Sequence, residues 1–176
     1  PLCRDLSRSE QALMGENSMI RAIREVDPQA RLAHLAYIGT MSAPRKVAPA
    51  DGIFLEFAPF YRVWDRPLRE ENAFSPRPYG RGITHGGYLR HLRENIEVFG
   101  TEDAVILEYW LDASLFSNWK KPAVRIPWHR EVFEADLETY ASMGLHNVTT
   151  FGVYMDSTYF ANYPDRGFLR EYGTTR

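Results

Sequence analysis

The sequence predicts an α/β fold, a parallel sheet of four βα units that forms the second half of a (β/α)8 TIM barrel. Three observations carry that reading. Short apolar runs alternate with amphipathic helical stretches, which is the signature of a parallel sheet with crossover helices. The strand-to-helix connections are long, at 61–82 and 113–126, whereas the helix-to-strand connections are short, at 100–103 and 144–147. Elaboration at the carboxyl ends of strands is the habit of the (β/α)8 barrel. Four strands do not close a barrel, which takes eight. The chain therefore reads as the second half of a barrel whose first half is missing, as one of two copies that complete a barrel, or as an open sheet.

The elements follow in order. Ser7-Arg-Ser-Glu10 is a capping box, and Leu13, Met14, Met19, Ile20, Ile23 and Val26 recur behind it at helical spacing, predicting a helix over 8–26 that Pro28 ends. Arg31 to Ile38 is a short apolar strand, and 39–49 is a loop holding Pro44 and Pro49. Gly52 to Phe60 is the second strand, with Glu56 inside it. The irregular stretch 61–82 follows; a loop of this length in a compact domain is usually functional or disordered. His85 to Phe99 is a helix with Tyr88, Leu89, Leu92, Ile96 and Phe99 on its apolar face and Gly100 at its end. Ala104 to Asp112 is the central strand, on which Ile106, Glu108, Trp110 and Asp112 would share one face. Pro127 opens a helix running to Met143, with Gly144 after it. Asn147 to Asp156 is the fourth strand, and the tail holds a helical turn near 166–171.

Composition limits the function classes. At 176 residues, 44% hydrophobic and 25% charged, the chain is large enough for a single domain with its own core. The aromatic content of 14% suggests a large core, a ring-binding cleft, or both. A net charge of −2 with interspersed signs offers nothing to nucleic acid or an anionic membrane, and no apolar run approaches the length of a transmembrane span. The lone Cys3 excludes an internal disulfide. The chain opens at Pro1, so upstream sequence is expected to have been removed; the compartment is open, a secreted or periplasmic one being carried forward.

The candidate site residues are carboxylates and rings near strand ends. Asp112 and Asp156 each close a strand, and adjacent strands lie about 4.8 Å apart, so their carboxyls would be about 5–9 Å apart, spanning the retaining and inverting separations of glycosidases. The competing reading is helix capping, or a salt bridge to a loop arginine. Glu56 is the third candidate acid. If Glu56 and Glu108 both point inward they need partners such as Arg62, His34 or each other, and for Glu108 burial against an arginine is the expectation. Tyr37, Trp119 and Tyr154 are expected to line a cleft, and Tyr109 to be core. Arg62, Arg66 and Arg77 could grip a uronate carboxylate in a bidentate fork, against a plain role in loop stabilisation. The histidines show no metal spacing, and no metal or organic cofactor is called for. Gly80-Arg-Gly-Ile-Thr-His-Gly86 opens a helix and could cradle an anion, but it lacks the full fingerprint.

A set of motifs then carries a resemblance: Leu35-Ala-Tyr37; Leu55-Glu-Phe-Ala-Pro59 followed by Arg62; Leu107-Glu-Tyr-Trp-Leu-Asp112; Asp136-Leu with Tyr140 and Gly144; and Tyr154 with Asp156. Over about residues 3–172 the chain resembles the C-terminal half of a catalytic-barrel-like domain of an uncharacterised bacterial family. That domain of unknown function is grouped with the α-glucuronidase and β-hexosaminidase type glycoside hydrolases. The resemblance implies a (β/α)8 barrel and a role in complex-carbohydrate breakdown, without a known substrate. In barrels of this type the acids commonly sit at the end of the fourth strand, ahead of this chain's first helix, so the general acid would come from the missing half. The functions carried forward are a glycoside hydrolase-like half-barrel using Asp112, Asp156 and Glu56, a non-catalytic carbohydrate-binding barrel, and a half-barrel that pairs with itself as a homodimer. In isolation the piece would expose apolar strand edges and dissolve poorly unless it dimerises.

Overall fold

A computed structural model describes residues 4–74 and 83–174. Cys3, Arg77 and the opening of the Gly80–Gly86 stretch lie outside the described residues. The elements run α1 (Arg8–Arg24), β1 (Leu32–Tyr37), β2 (Ile53–Ala58), α2 (His85–Phe99), β3 (Val105–Glu108), α3 (Ala113–Phe116), α4 (Arg130–Ser142), β4 (Asn147–Thr150), α5 (Ser157–Asn162) and α6 (Gly167–Thr174), with a 3-10 turn at Ile38–Thr40. The strands form a single all-parallel sheet in the order β1-β2-β3-β4.

The register separates the two faces. Ala36, Phe57, Ile106 and Val148 lie side by side in one row, and Leu35, Glu56, Val105 and Asn147 in the next. Alternate residues point to opposite faces, so the rows belong to different sides of the sheet. The first face is the core: Ala36, Leu55, Phe57 and Ile106 pack with Tyr88, Leu89 and Leu92 of α2 and Phe133 and Tyr140 of α4. Leu13 and Ile20 of α1 close over Ile53. The second face is partly open, and Leu35 on it is 39% exposed. Among the described residues, helices thus cover one side of the sheet.

The helix ends form where the local chemistry places them. The Ser7 side chain accepts the Glu10 amide while the Glu10 carboxylate accepts the Ser7 amide, the reciprocal capping box. Glu10 also accepts the amides of Arg45 and Lys46, so it ties α1 to the β1–β2 connection. These amides, that of Ser7 foremost, hold the Glu10 carboxyl down to about 2, from a usual value near 4.5. A depressed acid stabilises the fold above its unfolded pKa and loses that contribution as pH falls through the folded one. Glu10→Gln should therefore flatten the loss of stability between about pH 4.5 and pH 2, read as urea midpoints against pH. Gly100 ends α2 at φ 76°, a left-handed conformation that suits glycine.

The third and fourth strands are shorter than the apolar runs suggest. After Glu108 the chain turns, with the Asp112 amide donating to the Tyr109 carbonyl and the Ala113 amide to that of Leu111. Strand β4 also ends at Thr150, the Phe151 amide making one last bond to the Glu108 carbonyl at 2.7 Å, and Tyr154 takes φ 62°, which no strand residue adopts. A buried turn and a buried strand are equally apolar, so periodicity alone does not part them. The shared face expected for Ile106, Glu108, Trp110 and Asp112 thus stops at Glu108. The 113–126 connection contains the short α3, α4 begins at Arg130 rather than Pro127, and the tail forms two helices rather than one turn. Among the described residues no helix is long and apolar enough to cross a membrane.

Candidate functional site

Each strand delivers an aromatic ring at its carboxyl end. Tyr37 closes β1, Phe60 follows β2, Tyr109 follows β3 and Phe151 follows β4. The rings form a continuous row across the sheet, with centroids 5.4 Å apart for Tyr37–Phe60, 4.7 Å for Phe60–Tyr109 and 5.8 Å for Tyr109–Phe151. Tyr61 lies 4.5 Å from Phe60, and Trp119 6.5 Å from it. Trp119 is 46% exposed and Phe151 45%, while Tyr109 is buried, so the row runs from core to solvent. Asn118 and Trp119 both sit in the left-handed region, at φ 50° and 57°. Such backbone costs of order 1 kcal/mol per residue and persists where the surroundings enforce it.

Two carboxylates stand beside the row. Glu56 lies on the open face of β2, half-buried, with no hydrogen bond or ion pair among the described residues. Asp112 is 3% exposed, and its Oδ1 accepts from the Ser114 amide at 2.9 Å, the Ser114 hydroxyl at 2.5 Å and the Leu115 amide at 3.1 Å. That bonding caps α3 and fixes the carboxylate plane. Burial raises the Tyr109 hydroxyl well above its usual range, with Tyr37, Glu108, Asp112 and Glu56 contributing in the same direction. Burial likewise raises Tyr37, with Tyr61 and Asp112 contributing. Tyr37 and Tyr109 therefore stay protonated as donors, Tyr109 within electrostatic reach of both acids and Tyr37 of Asp112.

The sequence-predicted site residues separate into three places. Tyr37, Trp119, Glu56 and Asp112 belong to the strand-end rim. Tyr154 and Asp156 do not. Asp156 accepts the Tyr159 amide at 3.0 Å, capping α5, and pairs with Lys121 at 2.7 Å on the exposed surface. The Lys121 ammonium also lies 4.8 Å from the Tyr154 ring, and Tyr154 packs into a satellite cluster with Ala113, Ala123, Ile126 and Tyr159. The expected Asp112–Asp156 acid pair rested on both residues closing adjacent strands. The strands end at Glu108 and Thr150 instead, and each aspartate caps the helix that follows it.

Arg62 is also displaced from its expected role. Its guanidinium is 1% exposed and grips the protein's own carboxylates. Nη1 donates to Glu108 Oε1 at 2.9 Å and to Asp136 Oδ2 at 2.6 Å, Nη2 donates to the Arg66 carbonyl at 2.9 Å, and the group lies 5.0 Å from the Trp64 ring. Asp136 further accepts the Leu68 amide at 2.7 Å and the Trp110 indole N–H at 3.2 Å, and the Tyr140 hydroxyl donates to Glu108 Oε1. His85 Nε2 accepts the Val63 amide at 3.1 Å while its Nδ1–H donates to the Pro67 carbonyl at 3.0 Å. Together these bonds fasten residues 61–68 to α2, β3 and α4. The pairing of Glu108 with an arginine is as the sequence suggests; a substrate carboxylate finds no access to that arginine.

His34 has a different partner from those expected. Its Nε2 meets the Ser9 hydroxyl at 3.1 Å and its Nδ1 meets Glu16 at 2.6 Å, with Phe99 stacked at 5.0 Å. The order Ser–His–Glu imitates a nucleophile, base and orienting acid. Ser9 and His34 are both fully buried, so the trio serves as a tie between α1 and β1. The rings that sequence reading missed, Phe60, Tyr61 and Phe151, carry a signal in retrospect: a large aromatic follows the end of every strand. Among the described residues no group of three His, Cys, Asp or Glu side chains is placed to hold a metal ion. Comparison with protein-family models, with curated proteins and with solved structures finds no match to this chain.

Proposed function

We propose that the carboxyl end of this sheet binds a carbohydrate, as part of a glycoside hydrolase-like half-barrel. The observation that supports it is the ring row across all four strand ends, with two carboxylates beside it. Pyranose faces present C–H groups that pack on aromatic rings, and sugar hydroxyls donate to carboxylates while tyrosine hydroxyls donate to sugar oxygens. Parallel α/β sheets carry their ligands at this end. The open second face and the unpaired outer edges of β1 and β4 suit closure by four further βα units, from a preceding half or from a second copy. Self-closure predicts a dimer by sedimentation at micromolar concentration, and a monomer would sink it.

Glycosidic hydrolysis takes two carboxyls about 5–9 Å apart. Among the described residues Glu56 is the one of the two left without a bonded partner, and its complement as general acid would come from outside these residues. A binding-only role is the second reading, favoured by the use of Asp112 Oδ1 as a helix cap. Titration with neutral and acidic oligosaccharides, followed by tryptophan fluorescence, tests the site. Trp119→Ala should weaken binding about 10-fold, the worth of one stacked ring at about 1–1.5 kcal/mol. Undiminished affinity in that variant would remove the rim from consideration. Glu56→Gln separates the readings: in a hydrolase it abolishes turnover of bound glycan, and in a binding module there is no turnover to lose.

A further inference from the structure

The ionic cluster under the 61–68 segment is unbalanced. Two carboxylates, Glu108 on β3 and Asp136 on α4, face the single guanidinium of Arg62, and all three side chains are fully buried. The other groups that face Glu108 are the Tyr140 hydroxyl from α4, Tyr88 from α2 and Tyr109 just after β3, and none of them supplies a compensating charge while neutral; His85 faces Arg62 and Asp136 instead. Asp136 has both oxygens occupied, by Leu68, Trp110 and Arg62. Glu108 has not: Oε2 is buried and meets no partner among the described residues. An orphaned, solvent-excluded carboxylate oxygen costs several kcal/mol in the charged form, and a proton relieves it.

We propose that Glu108 is a proton-operated latch on the 61–68 segment. Protonated, it leaves Arg62 and Asp136 as a neutral pair, and the segment stays closed. Ionised, it adds a surplus negative charge that opening of the segment hydrates. Burial pushes the Glu108 carboxyl up to about 7, Asp136 pushes the same way, and Arg62 opposes both. Opening returns the group toward its hydrated value of 4.5, so the open state holds fewer protons. The open population therefore rises with pH as the closed-state Glu108 carboxyl loses its proton, by at most tenfold per unit, and is level once the group is ionised in both states. His85 acts with the opposite sign at more acid pH, since burial holds its pKa below the usual histidine range and a second proton would occupy the nitrogen that accepts the Val63 amide. The segment carries Tyr61, 4.5 Å from Phe60 of the aromatic row, and Trp64, edge-on to Tyr109 at 6.2 Å, so the latch governs the shape of the rim whatever ligand the rim takes.

Amide hydrogen exchange tests the latch. Leu68, which donates to Asp136, and Val63, which donates to His85, report on the segment; Phe57 in β2 reports on global opening. After correction for intrinsic exchange, protection at Leu68 and Val63 should fall by at least tenfold from about pH 5 to pH 7.5, with Phe57 changing less. Glu108→Gln should remove the slope. Tyr140→Phe deletes a hydrogen bond that favours the ionised carboxyl, so it should move the midpoint to higher pH, and it serves if the glutamine variant does not fold. Protection independent of pH, a slope that survives in Glu108→Gln, a midpoint unmoved in Tyr140→Phe, or equal slopes at all three amides would overturn the proposal.

Discussion

Arg62→Met is expected to destabilise the protein by about 3–5 kcal/mol, or to prevent folding outright. The reason is what the substitution leaves behind. Glu108 and Asp136 lose the cation that lies 2.9 and 2.6 Å from them, and neither reaches water. The Arg66 and Val63 carbonyls lose their donors as well, so the 61–68 segment loses two of its fastenings. Methionine fills much the same volume, which makes lost packing the smaller part of the cost. Urea unfolding of Arg62→Met beside the double variant Arg62→Met/Glu108→Gln checks the cause. If stranded charge is responsible, the second substitution recovers part of the loss, although it removes a native group. A cost below about 1 kcal/mol in the single variant would mean that the cluster is hydrated and the charges are not stranded.

Phe133→Ala should cost a similar amount, about 3–5 kcal/mol, by leaving a cavity. Phe133 is 2% exposed and stands edge-on to Trp110 at 4.9 Å, with Trp128 at 5.1 Å and Tyr172 at 5.7 Å. It therefore joins α4 to the turn after β3, to the segment before α4, and to α6. Phe151→Ala is the informative contrast. The same side chain is removed, but from the solvent end of the rim, where less apolar surface is buried; the expected stability loss is about 1 kcal/mol or less. Its effect should appear in ligand affinity instead. Denaturant midpoints for the two variants decide the matter, and equal losses would mean that the rim is part of the core and no binding surface.

The rim and the latch depend on one another through the loop between β2 and α2. Sequence reading marks that loop as functional or disordered by its length, and its described part is tied down. Arg62, His85 and Asp136 hold it down, and the aromatics it carries complete the row begun by Tyr37 and Tyr109. A site built on a loop keeps its geometry only if the loop is anchored, and here the anchor is a buried acid–base cluster that senses pH.

By itself the sequence determined what is set within a few residues: the capping box that opens α1, the glycine that ends α2, the apolar runs of β1 and β2, and the α/β alternation that makes the sheet parallel. It also determined that Glu108 needs a buried partner, because an acid in an apolar run has no cheap alternative. Only the tertiary structure decided where β3 and β4 stop. Buried turn and buried strand share one composition, and the turn after Glu108 is held by backbone bonds that no side chain announces. Those differences, four residues at the end of β3 and six at the end of β4, took Asp112 and Asp156 from matching strand ends to separate helix caps, and turned the pleat-based site into two places. The fate of Arg62 was decided at the same level. A guanidinium beside a strand end serves a ligand or the protein's own acids, and the choice depends on Asp136, which lies 74 residues away and meets it only through the packing of α4.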